Sequence, residues 1–329
     1  MILTRFTIAA LVAATTLAAC ADGDTTTTPN TADEPTTAGV SVLATTSIWA
    51  DVVSNVLCGE PVDAVIPVGA DPHTFEPSLR DREALGDADL IVANGSDLEG
   101  SLIDMLDVVA ADGVNVVEMT PHIDVLTSDD EDDHDEDDHD DHDHDEDADA
   151  EVDDGHGHSH AGGADPHVWQ DPTRVAGALD VIASAGTAIG LDDCSADYAA
   201  ELTELDAEIT ELLADVPPAQ RIMVTSHDAL SYFADRYDLE IIGTVIPSTN
   251  TLAQTNAADL AALADLIEER GVPAIFTEEL ESTADADALA ERLGVDVVPL
   301  VTDALTDDTD SYVEMMRTNA TKIAEALTP

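Results

Sequence analysis

The sequence predicts an α/β protein of two similar lobes, each a mostly parallel sheet with flanking helices, joined by a single long rigid helix. Three observations carry this expectation. Short apolar runs alternate with helical periods in two separate series, the pattern of buried parallel strands covered by helices on both faces. A helical stripe, Tyr198, Leu202, Leu205, Ile209, Leu212 and Val216, stands between the two series. Finally, 329 residues are too many for one small core and suit two units of ordinary size.

Taken from the amino terminus, Arg5 followed by the apolar or small run Phe6 to Ala19 reads as a secretory signal over residues 1–19. That run is shorter than the roughly 20 residues a membrane-spanning helix needs. Residues 20–40, rich in Thr, Asp, Pro and Ala without apolar periodicity, read as a flexible tether. An amino-terminal lobe is expected over 41–172. Its strands are expected at Val42 to Thr45, Val62 to Ile66, Leu90 to Ala93 and Val114 to Val117, and its helices at Ile48 to Leu57, Leu79 to Leu85 and Leu102 to Val109. Residues 173–218 form a helical region, in which the 22-residue stripe from Ser195 would extend roughly 33 Å, enough for a stiff strut between lobes. The second lobe, 219–329, carries strands at Ile222 to Thr225, Ile241 to Val245, Ala274 to Thr277 and Val295 to Val298. Its helices fall at Ala229 to Arg236, Ala257 to Glu269, Ala284 to Leu293 and Ser311 to Leu327.

Composition narrows the function. Ten Lys and Arg against 72 Asp and Glu give a formal net charge of -62, which repels nucleic-acid phosphates and anionic lipid headgroups and excludes nucleic acid as a partner. Aromatic residues make up only 3%, so the core is expected to rest on Val, Leu, Ile and Ala. Three cysteines occur. Cys20 closes the Leu-Ala-Ala-Cys sequence at the end of the signal and resembles the lipidated residue of a bacterial lipobox. Cys58 and Cys194 then remain in an oxidising compartment, where a disulfide between them is the economical expectation.

Histidine marks the chemistry. Seven of the 11 lie in an acidic insert at 128–163, namely His134, His139, His142, His144, His156, His158 and His160. Almost free of apolar residues, the insert is expected to lack packed structure without metal. Its alternating carboxylates and imidazoles would form many weak, exchangeable cation sites. The other four are His73, His122, His167 and His227. His73 and His167 share the sequence Asp-Pro-His, in which proline restricts the loop. His73 and His227 follow strands, at the carboxyl edge where open α/β sheets bind ligands. Three neutral imidazoles meeting at one point would suit Zn²⁺. His122, beside Pro121 at the end of a strand, reads as a hydrogen-bonded surface or core residue rather than a ligand.

Together, the lipobox, Asp71-Pro72-His73 with Phe75-Glu76-Pro77, Asp165-Pro166-His167-Val168-Trp169, and Ser226-His227-Asp228-Ala229 with Tyr232-Phe233 resemble the solute-binding proteins of zinc and manganese ABC importers, the ZnuA-like group. The resemblance covers nearly all of the mature chain. It implies a metal buried between the lobes on His73, His167 and His227, with a fourth ligand carried onto Asp303 in Leu300-Val301-Thr302-Asp303-Ala304-Leu305. Glu76 or water is the alternative fourth ligand. Manganese-type relatives have Glu at the position of His227, so the imidazole here favours Zn²⁺ over Mn²⁺, and the His-rich insert points the same way.

The resemblance further implies a monomeric, non-enzymatic lipoprotein on the outer face of the cell membrane. It would deliver Zn²⁺ to a permease driven by a separate ATPase subunit; the chain itself has no Walker A motif. The competing expectations are a manganese- or iron-binding protein, an adhesin, and, from another class, a zinc hydrolase with an open coordination position.

Overall fold

The computed structural model describes residues 39–126, 164–253, 255–280 and 283–329. The expected signal, the expected tether up to residue 38, lipidation at Cys20 and all seven histidines of the insert lie outside the described residues.

The first series of elements is β1 (Val42–Ala44), α1 (Ser47–Val56), β2 (Asp63–Ala64), α2 (Leu79–Asp87), β3 (Leu90–Ala93), α3 (Ile103–Ala111) and β4 (Asn115–Glu118). The strands form a parallel sheet in the order β2-β1-β3-β4. Strand β2 is shorter than the apolar pattern predicts. Pro61 and Pro67 flank it, and neither can donate to a ladder, although the Val65 and Ile66 amides still bond to Ala44 O and Thr45 O at 2.9 and 2.8 Å. Helix α2 starts as expected, but Leu79 is 86% exposed; Leu85 alone in the helix is buried. Ser78 and Asp81 close a reciprocal capping box that fixes this start without an apolar anchor.

The second series is β5 (Ile222–Thr225), α6 (Ser231–Tyr237), β6 (Glu240–Thr244), α7 (Ala257–Arg270), β7 (Ala274–Glu278), α8 (Ala284–Leu293), β8 (Asp296–Leu300) and α9 (Tyr312–Leu327). It repeats the parallel arrangement as β6-β5-β7-β8. Strand β8 runs through Pro299, which is tolerated because β8 is an edge. Between the sheets in sequence lie α4 (Pro172–Ala188) and α5 (Ser195–Leu213), packed on one another. The predicted stripe is α5, about 28 Å long. It ends at Leu213, which is buried in place of the partly exposed Leu212, with Val216 buried just beyond.

Strand alternation explains how the lobes join. Val42 and Ala44 of β1, Leu90 and Val92 of β3, Met223 of β5, and Ala274 and Phe276 of β7 all face one continuous apolar cluster with α1, α4, α5 and α9. The intervening residues face separate outer clusters: Leu43 and Ile91 under α2 and α3, Ile222, Val224 and Ile275 under α7 and α8. The aliphatic expectation needs refinement here. Eight of the ten aromatic side chains, Trp49, Trp169, Tyr198, Tyr232, Phe233, Tyr237, Phe276 and Tyr312, lie in the shared cluster. Cys58, just after α1, is disulfide-bonded to Cys194, just before α5. No helix among the described residues is long and apolar enough to cross a membrane.

Candidate metal centre

The two Asp-Pro-His sequences fold into the same device. The His73 amide donates to Asp71 Oδ1 at 2.8 Å, and the His167 amide donates to Asp165 Oδ1 at 2.9 Å. In each, an aspartate side chain bonds its own backbone two residues on while the intervening proline restricts φ, so the imidazole leaves the loop in a fixed direction. The copies differ beyond that turn. Asp165 Oδ1 also reaches the ring Nδ1 of His167 at 2.7 Å, whereas Asp71 Oδ2 accepts from Thr74 Oγ1 at 3.1 Å and from Thr251 Oγ1 of the other lobe at 2.9 Å. After His167, Asp171 caps α4 by accepting from the amides of Thr173 and Arg174, and Pro172 takes the first helical position.

His227 follows β5 by two residues, and Thr225 Oγ1 donates to its carbonyl at 2.8 Å. Asp303 follows β8 by three residues. Its strand end is held by Asn319 of α9, whose amide side chain donates to Val301 O at 2.6 Å and accepts from Val301 N at 3.0 Å. Both residues thus sit at carboxyl ends of parallel strands.

The four side chains converge. His73, His167, His227 and Asp303 each offer a donor atom, all within 4.8 Å of one another, and the residues are 8%, 0%, 0% and 3% exposed. The Nε2 atoms of His73 and His167 are 3.4 Å apart, and those of His227 and His167 are 3.3 Å apart. Asp303 oxygens lie 3.8 to 3.9 Å from the three Nε2 atoms. Bonds of about 2.0 to 2.1 Å directed to tetrahedral corners separate ligand atoms by about 3.3 to 3.4 Å. His167 Nε2 already has that spacing to each of the other two ring nitrogens, and the Asp303 carboxylate lies just outside it, Oδ2 toward His73 and His227 and Oδ1 toward His167. Glu76 is exposed and outside this group. It lines a cavity of about 600 Å³ with Asp71, Phe75, Ile246, Thr251 and Leu280. His122 is exposed on a turn of 3-10 helix after β4, also outside the group.

Burial sets the charge state. It pushes His73 down to about 3, aided by the neighbouring His167 and His227, and holds His167 well below the usual imidazole range. Both rings stay neutral, the form that binds metal. Burial also raises Asp165 and Glu278, each to about 7, and lifts Asp303 well above the carboxylate range, with Glu278 adding repulsion. Several carboxyl groups and neutral imidazoles in one dry site favour a cation.

Two partners behind the imidazoles escaped sequence reasoning. Asp165 belongs to the Asp-Pro-His sequence, which points to its histidine alone. Glu278 ends β7, beside β5, and its Oε1 contacts Nδ1 of His227. The signal available was an acidic residue closing the apolar run Ala274 to Phe276, at the same sheet edge as His227.

The profile of the family described as "Zinc-uptake complex component A periplasmic" (ZnuA) matches residues 42–326. The manganese-binding lipoprotein MntA of Halalkalibacterium halodurans is 26% identical over 302 residues, covering 88% of this chain and 89% of the relative. The zinc-binding protein TroA of Treponema pallidum is 26% identical over 304 residues, covering 87% and 88%. The structure of that periplasmic zinc-binding protein superposes with a TM-score of 0.69 at 25% identity, covering 88% of this chain and 99% of the other.

Proposed function

The chain belongs to the ZnuA family of periplasmic zinc-uptake components, and from that premise we propose that it captures Zn²⁺ between its lobes and delivers it to an ABC importer. His73, His167, His227 and Asp303 are the ligands. The observation that carries this reading is the spacing of 3.3 to 3.4 Å from His167 Nε2 to the Nε2 atoms of His227 and His73, the edge of a zinc tetrahedron, with Asp303 in the same buried group. Relatives are named for manganese as well as zinc. Three nitrogens with one carboxylate favour Zn²⁺, since a harder ion such as Mn²⁺ prefers more oxygen ligands.

The lobes of this carrier are residues 41–172 and 219–329, with the helical region 173–218 between them. The protein acts as an extracytoplasmic monomer, anchored through a lipid on Cys20, and hands its cargo to a permease powered by a separate ATPase. Importer lipoproteins among the relatives support that location and those partners. Acidic, histidine-rich residues 128–163 serve as an auxiliary capture segment.

The test is a competition titration with a chromogenic chelator. One tight zinc site is expected, lost in His227→Ala, with zinc bound more tightly than manganese. In His227→Glu the preference should move toward manganese. A tight site that survives His227→Ala overturns the ligand assignment, and tighter binding of manganese by the unaltered protein overturns the choice of metal.

A further inference from the structure

We propose that Glu278 is a positioning residue of the metal centre, fixing His227 so that its Nε2 lone pair faces the ion and strengthening the preference for zinc over manganese. The proposal rests on the reading of the centre given above and adds a residue outside the four donors.

The geometry follows from the sheet. β7 hydrogen-bonds beside β5, so the last residue of β7 stands next to the residues that leave β5. The ladder continues past the strand, with Ser226 N donating to Phe276 O at 2.9 Å. Ser226 Oγ then donates to Glu278 Oε1 at 3.1 Å, and the same oxygen contacts Nδ1 of His227. Glu278 is 5% exposed. One carboxylate oxygen is therefore oriented by a neighbouring hydroxyl and applied to the ring nitrogen that points away from the centre.

When Nδ1 donates its proton to that oxygen, Nε2 is left as the acceptor. A carboxylate behind a ligating imidazole fixes its tautomer and ring orientation and raises its basicity. The benefit is larger for an ion that favours nitrogen than for one that favours oxygen.

The other two histidines frame the role. Asp165 serves His167 in the same way, but from two residues away within one turn. Glu278 is 51 positions from His227 and reaches it only because the strands adjoin. Nδ1 of His73 makes no hydrogen bond among the described residues. The carboxylate support is thus selective, and Glu278 supplies it on the carboxyl-terminal lobe.

The experiment uses the full chain with Glu278→Gln, Glu278→Leu, Ser226→Ala and, as a control, Glu279→Gln. Glu279 is exposed and pairs with Lys322. Zinc and manganese affinities are measured by chelator competition, and the His227 Nδ1–H proton is observed by NMR in the zinc-loaded protein. Removing a carboxylate partner of this kind is expected to weaken zinc binding about 10- to 100-fold, with Glu278→Leu losing more than Glu278→Gln. The zinc-to-manganese affinity ratio should fall, the Nδ1–H signal should lose its protection from exchange, and the control should match the unaltered protein. If Glu278→Leu does not fold, Glu278→Gln and a smaller loss in Ser226→Ala decide the matter. Unchanged zinc affinity and Nδ1–H signal in the Glu278 variants, together with loss of the tight site in His227→Ala, would overturn the positioning role and leave the centre standing. Retention of tight zinc by His227→Ala would instead sink the reading on which it rests.

Discussion

Trp169 Nε1 donates to Thr302 O at 2.8 Å, bonding the loop that carries His167 to the loop that carries Asp303. Two tyrosines strengthen the same join: Tyr312 OH donates to Trp169 O at 2.6 Å and Tyr232 OH to Asp165 O at 2.8 Å. Asn94 holds the other side of the loop, its Nδ2 donating to Pro166 O at 2.9 Å while its Oδ1 accepts from Trp49 Nε1 at 2.8 Å. The scarce aromatic residues thus do more than fill space. Their polar ends pin the loop that carries His167 from both lobes.

Trp169→Phe keeps an aromatic ring but deletes the N–H donor and part of the buried indole, leaving Thr302 O with only a longer contact to Gln170 Nε2 at 3.4 Å. The lost hydrogen bond should cost about 1 kcal/mol of stability, and the space left beside a side chain that is 1% exposed adds to that loss. Zinc affinity should fall several-fold, because the two proposed ligands His167 and Asp303 lose their mutual register. Urea unfolding of the metal-free protein and chelator competition read the two effects separately. Unchanged affinity alongside lowered stability would mean that the join supports the fold without tuning the centre.

The disulfide separates stability from binding. Helix α1 begins beside the centre, where Ser47 Oγ accepts from Leu305 N at 2.9 Å, and its ten residues carry the chain about 15 Å away before Cys58. Replacing both cysteines with serine opens a covalent loop with a sequence separation of 136. By chain entropy this should cost about 5 kcal/mol. The urea midpoint should drop sharply while zinc affinity in the folded state stays the same; a matching loss of affinity would contradict the remoteness of the bond.

Much of this architecture is legible in residue patterns because it depends on local physics. Four-residue apolar runs such as Leu90 to Ala93 and Ile222 to Thr225 belong to strands buried on both faces, and each forms a central strand. Asp-Pro-His is legible because the aspartate and proline act within one turn. Leu79 misleads because a polar capping box, not burial, starts its helix. Glu278 is invisible for another reason: its meeting with His227 depends on which strands adjoin, and strand order is a non-local outcome. The shared cluster is equally non-local, since alternation gives each strand two apolar faces without saying which one meets the other lobe.

The acidic insert is expected to be dispensable for the tight site. Its flanks meet, as Asp165 N donates to Leu126 O at 3.0 Å, and Leu126 N donates to Tyr232 OH at 3.0 Å. A variant lacking 129–160 therefore retains the two anchored ends and joins them by a short loop. Zinc titration should find fewer weak sites and one tight site of unchanged affinity. Loss of the tight site would show that the insert contributes to it.

Acid should weaken zinc binding through the carboxyl groups before it does so through the imidazoles of His73 and His167. Without metal, burial raises Asp165 and Glu278 to about 7, whereas it lowers His73 to about 3 and His167 well below 6.5. As pH falls through 7 the carboxyls gain protons while those two rings remain neutral, and a bound dication must expel the protons again. Affinity should therefore rise with pH through about 7, and the raised Asp303 carboxyl adds to the same trend. For the stability of the metal-free fold, the contributions oppose one another. Raised carboxyls stabilise the fold below their ordinary values, and this contribution fades as pH rises through about 7. The depressed imidazole of His73 destabilises it in acid, an effect that disappears as pH rises through 6.5. Calorimetry in buffers of different ionisation enthalpy gives the proton count directly. More protons should be released on zinc binding at pH 6 than at pH 8, and Asp165→Asn should reduce the release at pH 6. Equal release at both pH values would rule out the carboxyls as the source.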